Sequence, residues 1–325
     1  MKRDLEVDTL RGLACILLVS YHVAGAGQDL GLHLSDTDGL QRLNLVLSYL
    51  RMPLFSFLSG YVYAHRPFQA QALSFIQGKV RRLLVPMLTV GTLFAIVQSM
   101  TPGANDSVTQ GWWLLHIIPV GHYWFLEALF IIFLLVAGLE KYQVLSQPVG
   151  FAVVWGISLL LFEFVPPRPY FALDGLVSLL PFFLAGLACK RFSLGSDTLR
   201  WVAAAALIAA AMWLWVLWSP HTRAGQETLL PGLVAGVSSA FLLLRSGWRS
   251  PWLAYVGSYS FAIYLLHIFF TASSRIAFTQ LHITNTYLLL LLGTTLGITG
   301  PIAAAQIIRR SARLNRWLMG SSTRP

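Results

Sequence analysis

Ten stretches of 17 to 23 mostly apolar residues follow one another along this chain, separated by short polar connections. Their bounds are roughly 8–27, 43–65, 83–100, 121–139, 149–165, 172–189, 199–218, 228–245, 252–273 and 286–308. Segments near 20 residues match a hydrocarbon core of about 30 Å at about 1.5 Å per helical residue. Only 11% of the 325 residues are charged and 56% are hydrophobic, whereas a soluble domain carries about 25% charged residues. The expected fold is therefore all-α, a polytopic membrane bundle of about ten transmembrane helices. Lipid offers the backbone no hydrogen bonds, and a helix satisfies its own.

An even number of spans puts both termini on one side. With both in the cytoplasm, eighteen of the Lys and Arg residues lie inside, from Lys2 and Arg3 through Lys79, Arg81 and Arg82 to Arg316 and Arg324. Arg42, Arg51, Arg168, Arg223 and Arg275 remain outside or in an outer half. That bias fixes the expected orientation, N- and C-termini cytoplasmic. The same distribution excludes nucleic acid as a partner: the net charge is +10, but the bases sit between apolar blocks rather than on one soluble face. Cys15 and Cys189 lie in different spans at different depths, so no structural disulfide is expected. No metal-type His/Cys spacing, Gly-rich phosphate loop or Gly-x-Ser-x-Gly elbow occurs, which argues against metal, ATPase and hydrolase readings. The first residues mix acids with bases and lead to no small-x-small cleavage site, so the first span is expected to be an uncleaved helix. The expected organisation is one membrane domain over 1–325 with no appended soluble domain. Pro53, Pro181 and Pro301 should bend or break their spans locally.

Function is then sought in the polar residues within the spans. Arg11 and His22 are eleven residues apart, which at about 100° per residue returns to nearly the same face and rises roughly 16 Å. Facing lipid they would cost several kcal/mol, so both should point into the bundle or a wet cavity. In the second span, Arg51 lies beside Pro53 and either finds a partner there or snorkels to the surface. Ser59 with Gly60 lines a cavity or forms a small-residue packing seam. The fourth span opens His122-Tyr123-Trp124-Phe125-Leu126-Glu127. An aromatic belt accounts for the tyrosine and tryptophan but not for Glu127, a carboxylate inside the membrane with His22, Arg51 or His267 as expected partners. The ninth span aligns Ser260, Tyr264 and His267 on one stripe. The connection 66–82 reads as an interfacial helix ending in Lys79, Arg81 and Arg82. That cluster either anchors anionic lipid or holds a phosphate. Together these features suggest proton-transfer chemistry in a membrane cavity, with histidine as the base suited to neutral pH.

Several of these stretches resemble one family. Arg11, ten residues and His22, preceded by Asp8, is similar to the first-helix signature of the acyltransferase family 3 membrane O-acyltransferases. Met52-Pro-Leu-Phe-Ser-Phe-Leu-Ser-Gly60 resembles the second-helix motif of its fucose and exopolysaccharide O-acetylase branch, and Lys79-x-x-Arg82-Leu-x-x-Pro86 its third. Gly121-His-Tyr-Trp-Phe-Leu126 and Tyr259-Ser-Phe-Ala-Ile-Tyr264-Leu-Leu-His267 look like its later signatures. Arg51, where the branch often has histidine, and Glu127 depart from the pattern.

The resemblance implies ten helices and transfer of an acyl group, usually acetyl, from cytoplasmic acyl-CoA to a hydroxyl of a cell-surface or lipid-linked glycan. His22 would be the catalytic base, with Glu127 or His267 orienting it or binding the sugar. Arg11, Lys79, Arg81 and Arg82 would hold the acyl-CoA. Arg51, Ser59, His122, Trp124, Ser260 and Tyr264 would line the acceptor cavity. Acyl-CoA is here a donor substrate rather than a bound cofactor, and the expected setting is the plasma membrane, the inner membrane of a bacterium. The alternative class is a transporter or flippase for a lipid-linked saccharide, which also uses broken helices and intramembrane charges. The lack of paired half-repeats and the concentration of polar residues on spans one, two, four and nine favour the enzyme.

Overall fold

A computed structural model describes residues 4–35, 37–69, 71–102, 111–168, 170–192, 199–218 and 229–321. Lys2, Arg3, Arg223 and Arg324, which enter the charge argument, lie outside the described residues. In chain order the helices are α1 (Leu5–Ala24), α2 (Gly39–Val46), α3 (Ser48–Tyr63), α4 (Ala72–Lys79), α5 (Val85–Met100), α6 (Trp124–Lys141) and α7 (Pro148–Phe164). There follow α8 (Leu173–Arg191), α9 (Leu199–Trp218), α10 (Leu229–Arg245), α11 (Pro251–Ser258), α12 (Ser260–Gln280), α13 (Thr286–Ile308) and α14 (Ala312–Met319). No strand occurs among the described residues; an isolated bridge pairs Leu115 with Ile118.

Among the described residues, seven helical stretches are long and apolar enough to cross a membrane: Leu5–Ala24, Gly39–Tyr63, Ala72–Met100, Gly121–Lys141, Tyr170–Arg191, Ser260–Gln280 and Thr286–Ile308. Shorter apolar helices at 148–164, 202–215 and 230–245 cover the other three apolar blocks. The starts are encoded locally. Asp4 caps α1 by accepting from the Glu6 and Val7 amides, and Glu6 and Asp8 place acids in its first turn, where the helix dipole favours them. Ser250, Asn285 and Ser311 cap α11, α13 and α14 in the same way.

Three boundaries differ from the sequence expectation. The ninth block is two helices, because Tyr259 (φ −106°, ψ 10°) separates α11 from α12. The second block breaks at Leu47, before Pro53, and α3, α8 and α13 each continue through their prolines. The connection before α5 is α4 followed by a π-helical turn, Val80–Leu84, that carries Arg81 and Arg82 straight into α5.

The described chain forms two compact units, the first from α1, α2, α3 up to Phe55 and α9–α13, the second from the rest of α3, α4–α8 and α14. In the first, α1 is the central element. Gly12 and Gly257 allow α1 and α11 to touch backbone to backbone: a Cβ at Gly12 would overlap the Leu253 carbonyl oxygen, and one at Gly257 the Asp8 carbonyl oxygen. Thr9 and Ser250 tie the same crossing, the Ser250 amide donating to Thr9 Oγ1 at 3.1 Å. On another side, Gly293 and Gly297 of α13 receive Val23 and Val19, the four-residue small-residue spacing of packed membrane helices. Cys15, Val19, Val256, Ile263, Ile298 and Ile302 form the buried core between these helices. Cys15 and, in the second unit, Cys189 are both buried and form no disulfide.

In the second unit α3 and α8 make a reciprocal close approach. A Cβ at Gly60 would overlap the Phe183 carbonyl oxygen, and one at Gly186 that of Phe57, while the Ser56 hydroxyl donates to the Leu179 carbonyl at 2.9 Å. Gly60 is thus the packing seam that the Ser59-Gly60 pair offered as one of its readings. Tyr63, Phe133 and Phe183 meet with ring centroids 5.3 to 5.9 Å apart. Arg191 pairs with Glu140 and donates to the Leu145 carbonyl at 3.0 Å.

Gly186→Ala and Gly257→Ala should each lose about 1–3 kcal/mol by overpacking, read as a lower thermal unfolding midpoint in detergent. Gly138→Ala, where no heavy atom lies within 4 Å of the new methyl group, should hold or raise the midpoint, since alanine exceeds glycine by about 1 kcal/mol in helix propensity.

Candidate active site

The last turn of α1 brings His22 against a second imidazole: its ring centroid lies 4.9 Å from that of His267 on α12, the planes inclined by 52°. The two differ in access. His22 is half-buried, whereas His267 has no exposed surface. His267 Nδ1 sits 2.8 Å from the Ile263 carbonyl oxygen and 2.9 Å from that of Tyr264. Carbonyls only accept, so Nδ1 carries the proton and, in the neutral ring, Nε2 carries the lone pair. α12 thereby sets the tautomer of His267 with its own backbone. Tyr264 is buried one turn back, its ring 6.5 Å from His267. Ser260 opens α12 at the break after Tyr259. Beyond His267 the polar stripe continues through buried Thr271 and Ser274, four and seven residues on.

Arg51 settles the choice the sequence left open. It is 5% exposed, and so does not snorkel. Its guanidinium lies 3.8 Å from the centroid of Tyr21, the residue before His22, and Nη1 donates to Asn44 Oδ1 at 2.9 Å. Asn44 Nδ2 in turn donates to the Gly25 carbonyl just past α1, at 2.8 Å. A cation–π contact and a charged hydrogen bond thus hold Arg51 within electrostatic reach of His22. Sequence reasoning overlooked Asn44. Its signal was a lone amide in an apolar run, seven residues before Arg51 and so two helical turns away on one face.

Arg11 stands eleven residues from His22 on α1 and pairs with Asp8 at 3.2 Å, its side chain about one-third exposed. At the start of the same helix, Glu6 receives Arg249, whose Nε and Nη2 lie 2.9 and 2.6 Å from Oε1.

The remaining expected site residues belong to the second unit. Lys79 places its ammonium 3.1 Å from the Phe133 ring centroid and 5.2 Å from that of Phe75. Of the three basic residues at the π-turn, Arg82 is the exposed one, and Arg81 and Lys79 are partly buried. His122 is buried, stacked on Tyr123 at 4.1 Å and edge-on to Phe94 at 5.9 Å. Trp124 begins α6, and Glu127 follows one turn later on the same face with 8% exposure. The charged group that acts on Glu127 within this unit is Asp174, in the first turn of α8, a residue the sequence reading did not select. Ser59 is partly buried on α3. Outside the spans, His116 (φ 67°) places Nε2 2.9 Å from Thr92 Oγ1, and burial pushes its pKa below the usual histidine value. Among the described residues no group of three or more His, Cys, Asp or Glu is placed to hold a metal ion.

Compared with known proteins, the chain matches the acyltransferase domain of acyltransferase family 3 over residues 4–306. A curated relative, the nodulation protein NolL of Mesorhizobium japonicum, is 28% identical over 156 residues. That alignment covers 48% of this chain and 39% of NolL's own length. No solved structure matches the chain.

Asn44→Leu should cost about 1–3 kcal/mol by leaving a buried guanidinium N–H unpaired, seen as a lower unfolding midpoint, while Asn44→Asp, which keeps the acceptor, should recover most of it. For His116 the unfolded chain binds a proton more readily than the folded one, so stability should fall as pH drops below about 6.5. His116→Gln, which retains a partner for Thr92, should flatten that part of a midpoint-against-pH curve.

Proposed function

The chain belongs to acyltransferase family 3, and on that premise we propose that it is a membrane O-acyltransferase moving an acyl group, acetyl in the first instance, from cytoplasmic acyl-CoA to a hydroxyl of a cell-surface or lipid-linked glycan. The observation that carries this reading is the half-buried His22 imidazole backed by His267, whose tautomer is set by α12 carbonyls.

In this reading a ring nitrogen of His22 takes the proton of the acceptor hydroxyl as its oxygen attacks the thioester carbonyl. The tetrahedral adduct collapses, the carbon–sulfur bond breaks, and the departing thiolate takes the proton from the His22 imidazolium, leaving CoA and the ester. In this reading His267 is the positioning residue: its Nδ1 is committed to the α12 carbonyls, so Nε2 holds the lone pair toward which a ring N–H of the adjacent His22 would turn during the reaction, selecting which nitrogen acts as base. A positioned general base is worth about 10²–10⁴-fold in rate. Arg51, fixed by Tyr21 and Asn44, supplies positive charge beside the reacting imidazole, where negative charge develops on the thioester oxygen. Ser260 and Tyr264 line the His267 side of the first unit.

Arg11, with Lys79, Arg81 and Arg82 of the second unit, serves the donor in this reading. Guanidinium groups pair with phosphate bidentately, and Arg82 is the one most open to it. Lys79, seated on Phe133, contributes charge rather than a direct contact. Ser59, His122 and Trp124 fall to the acceptor. The proposed topology has ten spans with both termini cytoplasmic, which puts the basic π-turn on the side where acyl-CoA is made. The proposed location is the inner membrane of a bacterium.

His22→Ala should lower acyl transfer from radiolabelled acetyl-CoA to the glycan by at least about 10²-fold while expression and unfolding midpoint stay near wild type. Glycan acylation that survives in this variant, measured by mass spectrometry of the released glycan, sinks the proposal. Saccharide-coupled ion flux without acylation would favour a transporter.

A further inference from the structure

Glu127 is placed where a carboxylate needs a reason. It is 8% exposed, and Oε2 is shielded from solvent and has no hydrogen-bond partner among the described residues. Buried polar atoms are nearly always partnered, so an orphaned acceptor of this kind points to something that donates to it in the working protein. The charge that acts on it within its own unit is that of Asp174, another acid.

Trp124 completes the arrangement. It lies one turn before Glu127 on α6, and its indole is seated against the bare Cα of Gly175: a Cβ there would fall 2.7 Å from Cε3, 3.0 Å from Cζ3 and 2.9 Å from the Ala128 methyl carbon. Glycine at 175 therefore admits the ring against the start of α8, next to Asp174. Asp174 is exposed, and its Oδ1 accepts from the Gly175 amide at 2.7 Å, which leaves Oδ2 for a ligand. The backbone leading to it is held in an unusual shape. Phe171 and Ala172 both adopt left-handed conformations (φ 52° and 49°), and the Phe171 amide donates to the Ile117 carbonyl at 2.8 Å.

A buried carboxylate, an exposed one and an aromatic ring set against the same turn suit a ligand with several hydroxyls and an apolar face. Hydroxyls donate to carboxylates, and the C–H face of a pyranose lies on an indole. A hard cation calls for six or more oxygen ligands, commonly from several carboxylates, and among the described residues no third His, Cys, Asp or Glu joins this pair in a metal-holding group. We propose that Glu127, Asp174 and Trp124 form a subsite that binds saccharide units of the acceptor through their hydroxyls. This rests on the reading that the acceptor is a glycan.

The test uses the full-length protein in nanodiscs and dicyclohexylcarbodiimide, which attacks carboxyl groups in apolar surroundings, with the site of modification mapped by mass spectrometry. The probes are methyl glycosides of fucose, rhamnose, galactose, glucose and N-acetylglucosamine, with sodium chloride as the cation control. Glu127 should be labelled, and at least one glycoside should slow its labelling fivefold or more in a saturable manner. Asp174→Asn and Gly175→Ala should each leave Glu127 reactive but remove most of the protection. Unlabelled Glu127, labelling that no glycoside slows, or protection by sodium alone overturns the proposal. The readout needs no acyl transfer. A chain that acylates glycan without protecting Glu127 would lose this subsite and keep its proposed activity, and the reverse result would separate the two the other way.

Discussion

A polar atom placed in hydrocarbon must find its partner inside the protein, because no water is there to supply one. The first unit is arranged around that requirement. His267, without exposed surface, gives its Nδ1 proton to two carbonyls of its own helix. Arg51, equally enclosed, is divided between the face of Tyr21 and the amide of Asn44, which is itself tied to Gly25. These contacts do more than offset desolvation. They fix a tautomer and a charge beside the imidazole of His22. Structural necessity and chemical preparation are here the same hydrogen bonds.

Helix packing follows a related rule. Apolar side chains gain little from touching one another when lipid is the alternative, so close backbone approach takes over. Gly12 and Gly257 bring α1 to α11, Gly293 and Gly297 bring α13 to α1, and Gly60 and Gly186 bring α3 to α8. The short helix α11 exists because of such contacts: its backbone lies on α1 for two turns before Tyr259 redirects the chain into α12. Gly175 uses the same freedom for an aromatic ring in place of a backbone, and so brings Trp124 against the head of α8.

Much of this was legible in the residues. The apolar blocks coincide with helices, the caps Asp4, Ser250 and Asn285 mark where helices begin, and His22 and His267 were singled out by their depth in otherwise apolar stretches. Less legible were the partners. Arg51 could be recognised as a cation needing one, but Asn44 lies across a break at Leu47 that no proline or glycine announces, and Tyr21 lies on a different helix, α1. For Glu127 no residue signal pointed to Asp174, whose charge acts on it from some forty-seven residues along the chain.

Sequence alone determined the solvent in which this chain folds, its helical class, its membership of a family and the titratable groups available for chemistry, because each depends on residue type and local spacing. Tertiary structure alone decided which of those groups touch. The 4.9 Å approach of two histidines 245 residues apart and the placement of an orphaned carboxylate within electrostatic reach of a second acid arise from how helices pack, and that packing depends in part on glycines, which carry no side chain to announce what they will meet.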